Sequence, residues 1–480
     1  MPRKFRYIIL PFLLFFAVFP AMSAAADGNS SYIINLEGKR QEIPLAYTVD
    51  AVYSYFDLPV DRLSAATDLF VDDKDQLYIL DSGNGRILKL DAGGGLIREY
   101  SHQGEYSFHK ANGIYVDRDE NIYVADTENG RVLVMGSDGQ VVRVITQPQS
   151  PLYDTAYPFK PVKVGVDSLG QVYVLNDLDY HGFIVLDESG DFKYLASSRL
   201  SANPWERIIS MFASESQREK LGKRVPPIHS NFTFGPDGGI YTTTANTDTE
   251  QFKLFSAVGN NYFPKKNGFG DTRPDYIMTK FGKKTDSQLF SDVCVDSSGI
   301  ITLLESNSGR IFQYDQDGVM LCAFGGTGNW AGRFMNAVAI DIDSAGNLYV
   351  LDSTLGTVQK LKPSNFILTV HNALSLYASG KYIEAQESWR EILVSDPAYP
   401  VAHIGLGKAA LKQGDLRLSI EHYRRAGDKF GYSDAFSAYF KGVVQRYFIL
   451  IVVGIMALVI GLYLVANRLY RRAKKLASGR

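Results

Sequence analysis

Between about residues 60 and 365 the chain alternates short apolar runs with polar turns, and the alternation has a fixed grammar. An apolar strand ends in Asp, a short turn follows, and a second strand carries Tyr or Thr. The pairs are Phe70-Val71-Asp72 with Leu77-Tyr78-Ile79, Tyr115-Val116-Asp117 with Ile122-Tyr123-Val124, and Gly165-Val166-Asp167 with Val172-Tyr173-Val174. Cys294-Val295-Asp296 with Ile301-Thr302-Leu303 and Asp341-Ile342-Asp343 with Leu348-Tyr349-Val350 repeat it. Phe232-Thr233-Phe234-Gly235-Pro236-Asp237-Gly238 with Ile240-Tyr241-Thr242 is a shifted copy. A second polar position comes three residues after the Tyr or Thr: Asp81, Asp126, Asn176, Thr244, Glu305 and Asp352. Asp and Asn cap such turns through the backbone, and Gly supplies positive φ. Three strands plus an outer fourth, such as Val319–Phe324, recur at a spacing of roughly 45–65 residues, which predicts radial blades. Six copies predict a mainly β fold, a six-bladed β-propeller, with Tyr32–Phe56 adding a closing strand to the last blade.

The phrases Leu77-Tyr78-Ile79-Leu80-Asp81-Ser82-Gly83-Asn84-Gly85-Arg86-Ile87 and Phe324-Gly325-Gly326-Thr327-Gly328-Asn329-Trp330-Ala331-Gly332-Arg333-Phe334 resemble the NHL-repeat family of propellers. The resemblance is strong in blades one, two, five and six. It is weaker in blades three and four, whose turns lose the Gly-x-Arg ending. Two long insertions, Ala196–Ser230 and Ser256–Arg273, interrupt the pattern, and long loops in a compact fold point to function or disorder.

From Val370 the apolar period changes from two to 3.6. Asn372–Asp428 looks like two tetratricopeptide repeats: a 34-residue offset pairs Ala373 with Gly407, Gly380 with Gly414, Ala385 with Ser419, Trp389 with Tyr423, and Ile392 with Ala426. A helix starting at Asp434 under a Ser433 cap is expected to run on through the apolar segment Tyr447–Ala466, which is ~30 Å long, enough to span a membrane. At the other end Arg3, Lys4 and Arg6, the apolar run Ile8–Phe19 and the small residues to Ala26 read as a secretory signal. The expected organisation is therefore a signal over 1–26, the propeller over 27–365, the helical repeats over 366–446, a transmembrane helix over 447–466 and a basic tail over 467–480. The tail bases place it in the cytoplasm by the positive-inside rule, so the propeller faces outward across the cell membrane.

Charge narrows the function. The net charge of −2 hides basic ends: without their nine bases, 41 basic residues face 52 acidic ones, a net −11. A middle so acidic excludes a nucleic-acid footprint. Cys294 and Cys322 are the two cysteines; placed on the inner and outer strands of blade five they are ~14 Å apart, too far to bridge. The recurring turn aspartates read as structural. Asp68 and Asp292, with Asn112 and Asn231 near equivalent positions, start innermost strands and form a candidate channel site for Ca²⁺, a cation that wants oxygen; solvated channel-lining carboxylates are the alternative. No G-x-S-x-G elbow is present. Trp205, Arg207, Tyr153, Tyr157 and Trp330 fall in loops on one face, the composition of a recognition surface for protein or sugar.

The resulting expectation is a membrane-anchored, extracytoplasmic binding or scaffold protein without cofactor, taking a protein partner or an envelope carbohydrate. The resemblance to membrane-anchored propellers of the bacterial envelope implies a place beside an uptake or envelope-assembly system. The alternative, from the resemblance to gluconolactonase-type propellers, is a Ca²⁺-dependent lactonase. That family needs a channel-lining Glu, and none can be placed here.

Overall fold

A computed structural model describes residues 30–35, 39–153, 158–177, 179, 181–196, 228–245, 251–255 and 290–477. The expected signal, the Ala196–Ser230 insertion beyond Ala196 up to Pro227, and Ser256–Arg273 lie outside these residues. The chain enters through β1 (Ser31–Ile34), β2 (Arg40–Ile43) and β3 (Tyr47–Tyr53). Blade 1 is β4 (Asp68–Val71), β5 (Leu77–Asp81), β6 (Arg86–Leu90) and β7 (Leu96–Ser101); blade 2 is β8 (Gly113–Val116), β9 (Ile122–Asp126), β10 (Arg131–Met135) and β11 (Val141–Ile145). Blade 3 is β12 (Pro161–Val166), β13 (Val172–Asn176), β14 (Phe183–Leu186) and β15 (Phe192–Ala196). Blade 4 has three strands among the described residues, β16 (Ile228–Phe234), β17 (Ile240–Ala245) and β18 (Phe252–Phe255). Blade 5 is β19 (Phe290–Val295), β20 (Ile301–Glu305), β21 (Arg310–Tyr314) and β22 (Met320–Gly325); blade 6 is β23 (Ala337–Ile342), β24 (Leu348–Asp352) and β25 (Thr357–Pro363).

The strands β4, β8, β12, β16, β19 and β23 neighbour one another in that order, and β23 returns to β4, closing a ring of six. β3 pairs antiparallel with β25 and supplies the outer strand of blade 6, as the N-terminal pattern predicts. The β1–β2 hairpin was not expected: β1 adds to β22 and widens blade 5 to six strands. Both additions cover edges that would otherwise offer unpaired backbone. Apolar side chains fill the spaces between successive blades in six clusters among the described residues.

Local chemistry accounts for the grammar. Asp72 Oδ1 accepts from the backbone N–H of Lys74 at 2.9 Å and of Gln76 at 2.8 Å, and Asp117, Asp167, Asp296 and Asp343 repeat the pattern. The fixed interval to Tyr follows: Tyr123 and Tyr349 hydroxyls donate to Asp117 and Asp343 at 3.2 Å. The second motif aspartate is a clamp. Asp81 accepts from Ser64 N, Asn84 Nδ2 and Arg86 Nε, each at 2.8 Å, and Asp126 does the same with His109, Asn129 and Arg131. Each clamp fixes the loop that enters its own blade, and Gly85 and Gly130 sit at φ 64° and 61°, where a side chain is strained. Cys294, Thr302, Gln313 and Cys322 lie in one register row across blade 5, so the two buried thiols are three strand spacings apart and both free.

Helices α1 (Asn365–Ala378), α2 (Tyr382–Ser395), α3 (Pro400–Gln413) and α4 (Leu416–Ala426) form two successive hairpins. The members of the 34-residue offset take equivalent roles: Gly380 and Gly414 follow helices at φ 78° and 82°, while Trp389 and Tyr423 are buried. Tyr423 lies against Gly407, where a Cβ would come within 3.0 Å of its ring. The three helices α1, α2 and α3 share a continuous core with blades 5 and 6. α5 (Lys429–Ala477) is one helix of 49 residues, long and apolar enough to cross a membrane. It starts five residues before the Asp434 expected from the Ser433 cap. Asp428 Oδ1 accepts from both Phe430 and Gly431 N–H at 3.0 Å, so it caps the helix first and Ser433 is interior.

Candidate functional site

Side chains from four blades converge on the axis of the ring. Asp68 Oδ1 accepts from its neighbour Leu69 N, and Oδ2 accepts from Ile114 N of blade 2 at 2.8 Å and from Lys163 Nζ of blade 3 at 2.7 Å. Asp292 in blade 5 accepts from Val293 N and from Ile340 N of blade 6 at 2.7 Å. Asp341 in blade 6 accepts from Ile342 N and from Val71 N of blade 1 at 2.7 Å. Neighbouring inner strands diverge too much to share a ladder. An aspartate that binds its own strand through one oxygen and the next blade through the other replaces that ladder, because a buried backbone N–H needs an acceptor.

Asn231 occupies the ring position of Asp68 and Asp292, and its Oδ1 accepts from Phe232 N at 2.7 Å. Asn112 does not: Gly113 takes the ring position, and Asn112 instead donates to Thr127 Oγ1 at 3.0 Å. The misplacement is one residue of strand register, which moves a side chain to the other face. A side chain at Gly113 would strike Val162 O at 2.6 Å, so blade 2 contributes none here. Lys163 and Asp341 escaped the sequence reading, although both stand at fixed intervals before a turn aspartate, four before Asp167 and two before Asp343.

Burial pushes Asp292 and Asp341 up to about 7 and raises Asp68 too, against the opposing pull of Lys163. Burial works to lower Lys163, but the Asp68, Asp292 and Asp341 carboxylates outweigh it and hold the ammonium above the ordinary lysine range. The Ca²⁺ set expected from Asp68, Asp292, Asn112 and Asn231 does not fit this geometry. Both oxygens of each aspartate are committed to backbone N–H groups, Asn112 faces away, and the Lys163 ammonium already stands against Asp68 as its counter-ion. Among the described residues no group of three or more acidic, His or Cys side chains is arranged for a metal.

A pH dependence follows. Asp292 and Asp341 keep their protons to about pH 7 when folded and lose them near pH 4 when unfolded. Between those values the folded chain binds more protons, so stability falls as pH rises through that window, by on the order of a few kcal/mol. The propeller is expected to melt several degrees higher at pH 5 than at pH 8. Asp292→Asn/Asp341→Asn should flatten that slope, whatever its absolute stability; an unchanged slope would exclude these two groups as its origin.

The recognition residues read from the loops separate. Trp330 is 53% exposed in the loop between β22 and β23. Tyr153 is buried, its ring 5.8 Å from Phe192 in the core between blades 2 and 3, and presents no surface. Trp205, Arg207 and Tyr157 lie outside the described residues. The loop face gains exposed apolar residues that the sequence reading missed: Phe56 after β3, Leu152 after β11 and Met335 beside Trp330. These loops leave the strand ends opposite the Ser298–Ile300 and Asp315–Val319 turns, against which the helices pack, so the face points away from the helical unit.

The NHL repeat family model matches residues 108–135, which span β8 to β10 of blade 2. No curated protein matches the chain. Among solved structures it is similar to a virginiamycin B lyase from Staphylococcus aureus, at 13% identity and a TM-score of 0.39 over 70% of this chain and 88% of that one. It is also similar to a gluconolactonase from Xanthomonas campestris, at 12% and 0.43 over 66% and 95%. A Bacteroides thetaiotaomicron protein of unknown function matches at 14% and 0.44 over 68% and 80%. The chain is thus a six-bladed β-propeller that contains an NHL repeat and carries a helical region ending in one long apolar helix.

Proposed function

We propose that this protein is a membrane-anchored, extracytoplasmic binding or scaffold protein without catalytic activity. The observation that carries the reading is the division of labour between axis and loop face. The axial carboxylates are consumed in holding blades together, whereas the face turned away from α5 displays Phe56, Leu152, Trp330 and Met335. Exposed aromatic and Met side chains on preformed loops suit a protein partner. The helical hairpins, of tetratricopeptide type on this reading, hold the propeller on α5, and the basic residues after Ala466 place the tail in the cytoplasm. Such an arrangement fits a component beside an uptake or envelope-assembly system.

The test is capture from envelope extract by the full chain. Phe56→Ala/Trp330→Ala, melting as the parent does, is expected to lose tenfold or more of the captured partner, as truncation of aromatic anchors does. Trp205→Ala/Arg207→Ala should weaken capture if that insertion shares the surface. Equal capture by the Phe56/Trp330 variant would remove the loop face from recognition. A lactone opened in a Ca²⁺-dependent way, and no longer opened by Asp68→Asn, would replace the binding reading with an enzymatic one.

A further inference from the structure

His403 of α3 and His422 of α4 face each other across the second helical hairpin, with their Nδ1 atoms 3.1 Å apart. A third group settles where the hydrogens lie. His403 Nε2 stands 3.3 Å from the Pro397 carbonyl, which can only accept, so Nε2 carries the hydrogen and Nδ1 keeps its lone pair. His422 Nδ1–H therefore donates to His403 Nδ1. A proton on His403 Nδ1 would set two N–H groups head to head, so the bond exists only while His403 is neutral.

The surroundings keep the pair neutral. His403 is 5% exposed and lies in the first turn of α3, where the helix dipole opposes a cation. Burial lowers both rings below the ordinary histidine range. His403 itself, Arg425 of α4 and Arg390 of α2 push His422 the same way, and Arg425 also bears on His403. Glu421 of α4 and the Pro397 carbonyl pull in the other direction, but Glu421 is exposed and already accepts from Arg425 Nη2 at 2.6 Å. The apolar contact behind the pair is small: Ile404, Tyr423 and Ala426, with Ala435 of α5 seated among them.

Linkage gives the direction of a pH response. When the hairpin opens, both imidazoles reach water and regain an ordinary pKa of about 6.5. Below that pH the open hairpin takes up protons that the closed one refuses, so closure is strongest above about pH 6.5 and weakens as pH falls. Each pH unit favours opening by up to about tenfold per histidine. We propose that the His403–His422 pair is an acid-released latch, which holds α3 to α4 at neutral pH and loosens the seat of α5 in an acid medium. The axial ring responds in the opposite sense, since Asp292 and Asp341 hold the propeller more firmly at low pH. The latch is separate from the loop face and stands whether or not that face takes a partner.

The test is hydrogen exchange, read by mass spectrometry, on the full chain in lipid nanodiscs. It runs in steps from pH 7.5 to pH 4.5, with each rate divided by the intrinsic rate at that pH. Opening of Val401–Ala426 is expected to begin rising near pH 6.5 and to have grown tenfold or more by pH 5, while blades 1–3 open no more readily. His403→Asn/His422→Asn should abolish this response whatever its own stability, because a carboxamide pair can keep one hydrogen bond and has no proton to gain. The onset in the unmodified chain decides the matter even if that variant misfolds, since carboxylates of ordinary pKa would act only at lower pH. Equal opening across the series, an onset below pH 5, a rise shared equally by blades 1–3, or an undiminished response in the double variant would each overturn the proposal.

Discussion

Replacing Lys163 with Met is expected to cost the propeller about 3–5 kcal/mol, the usual penalty for removing one partner of a buried ion pair. Lys163 is the ammonium that faces Asp68 at 2.7 Å, and it also feels Asp292 and Asp341. Methionine fills the same space but leaves Asp68 among carboxylates with only backbone N–H groups to hold its charge. A drop in Tm on the order of ten degrees follows at pH 8. The drop should shrink at pH 5, where a buried carboxyl can take up a proton instead of staying charged. Lys163→Met/Asp68→Asn should recover a large part of the loss, because the charge needing a partner is gone. If Lys163→Met melts as the parent does at pH 8, the axial lysine is not the counter-ion of the ring.

Trp389→Ala is expected to be comparably damaging, at about 3–5 kcal/mol, through the cavity it leaves in a close-packed interior. The indole is fully buried against Gly405, in the core that joins α1–α3 to Leu321, Phe324 and Val350 of blades 5 and 6. The loss should appear first in the helices. Amide exchange in α1–α4 should quicken severalfold more than in blades 1–3, which have cores of their own. Gly405→Ala should reproduce the effect from the other side, since its Cβ would lie 2.3 Å from the indole Cε2. Uniform exchange throughout the chain, or an unchanged melt, would show that Trp389 does not hold the helices on the propeller.

These two sites differ in how far they were legible. Trp389 is readable because its partner Tyr423 recurs 34 residues on, and a repeated aromatic beside a repeated small residue marks a packing position. Asp68 and Asp292 are readable as starts of inner strands, yet their task is not: an acid at a strand start reads equally as a metal ligand, a solvated group or a clip between blades. Lys163 stands four residues before its turn aspartate, as Asp68 and Asp292 do, but a single lysine in one copy of a repeat looks like drift. Tyr153 errs the other way. It sits in a loop by sequence, but the loop folds back and gives its ring to the core between blades 2 and 3.

The sequence by itself determined everything held by short-range bonds. Asp72 reaches N–H groups two and four residues on, Tyr123 reaches back six to Asp117, and Asp81 gathers Asn84 and Arg86 within one turn. Such bonds demand fixed residue types at fixed intervals, so the five blades that carry the turn aspartate leave a periodic trace, and the apolar length of α5 is likewise a local property. Tertiary structure alone decided what the ring encloses. Lys163 meets Asp68 across 95 residues and Asp341 meets Val71 across 270. Those contacts exist because six blades close on one axis and bring distant strand starts together. The repeated units give the blade count, but the register that brings these side chains to one axis is fixed by packing between blades, and no interval in the chain encodes it.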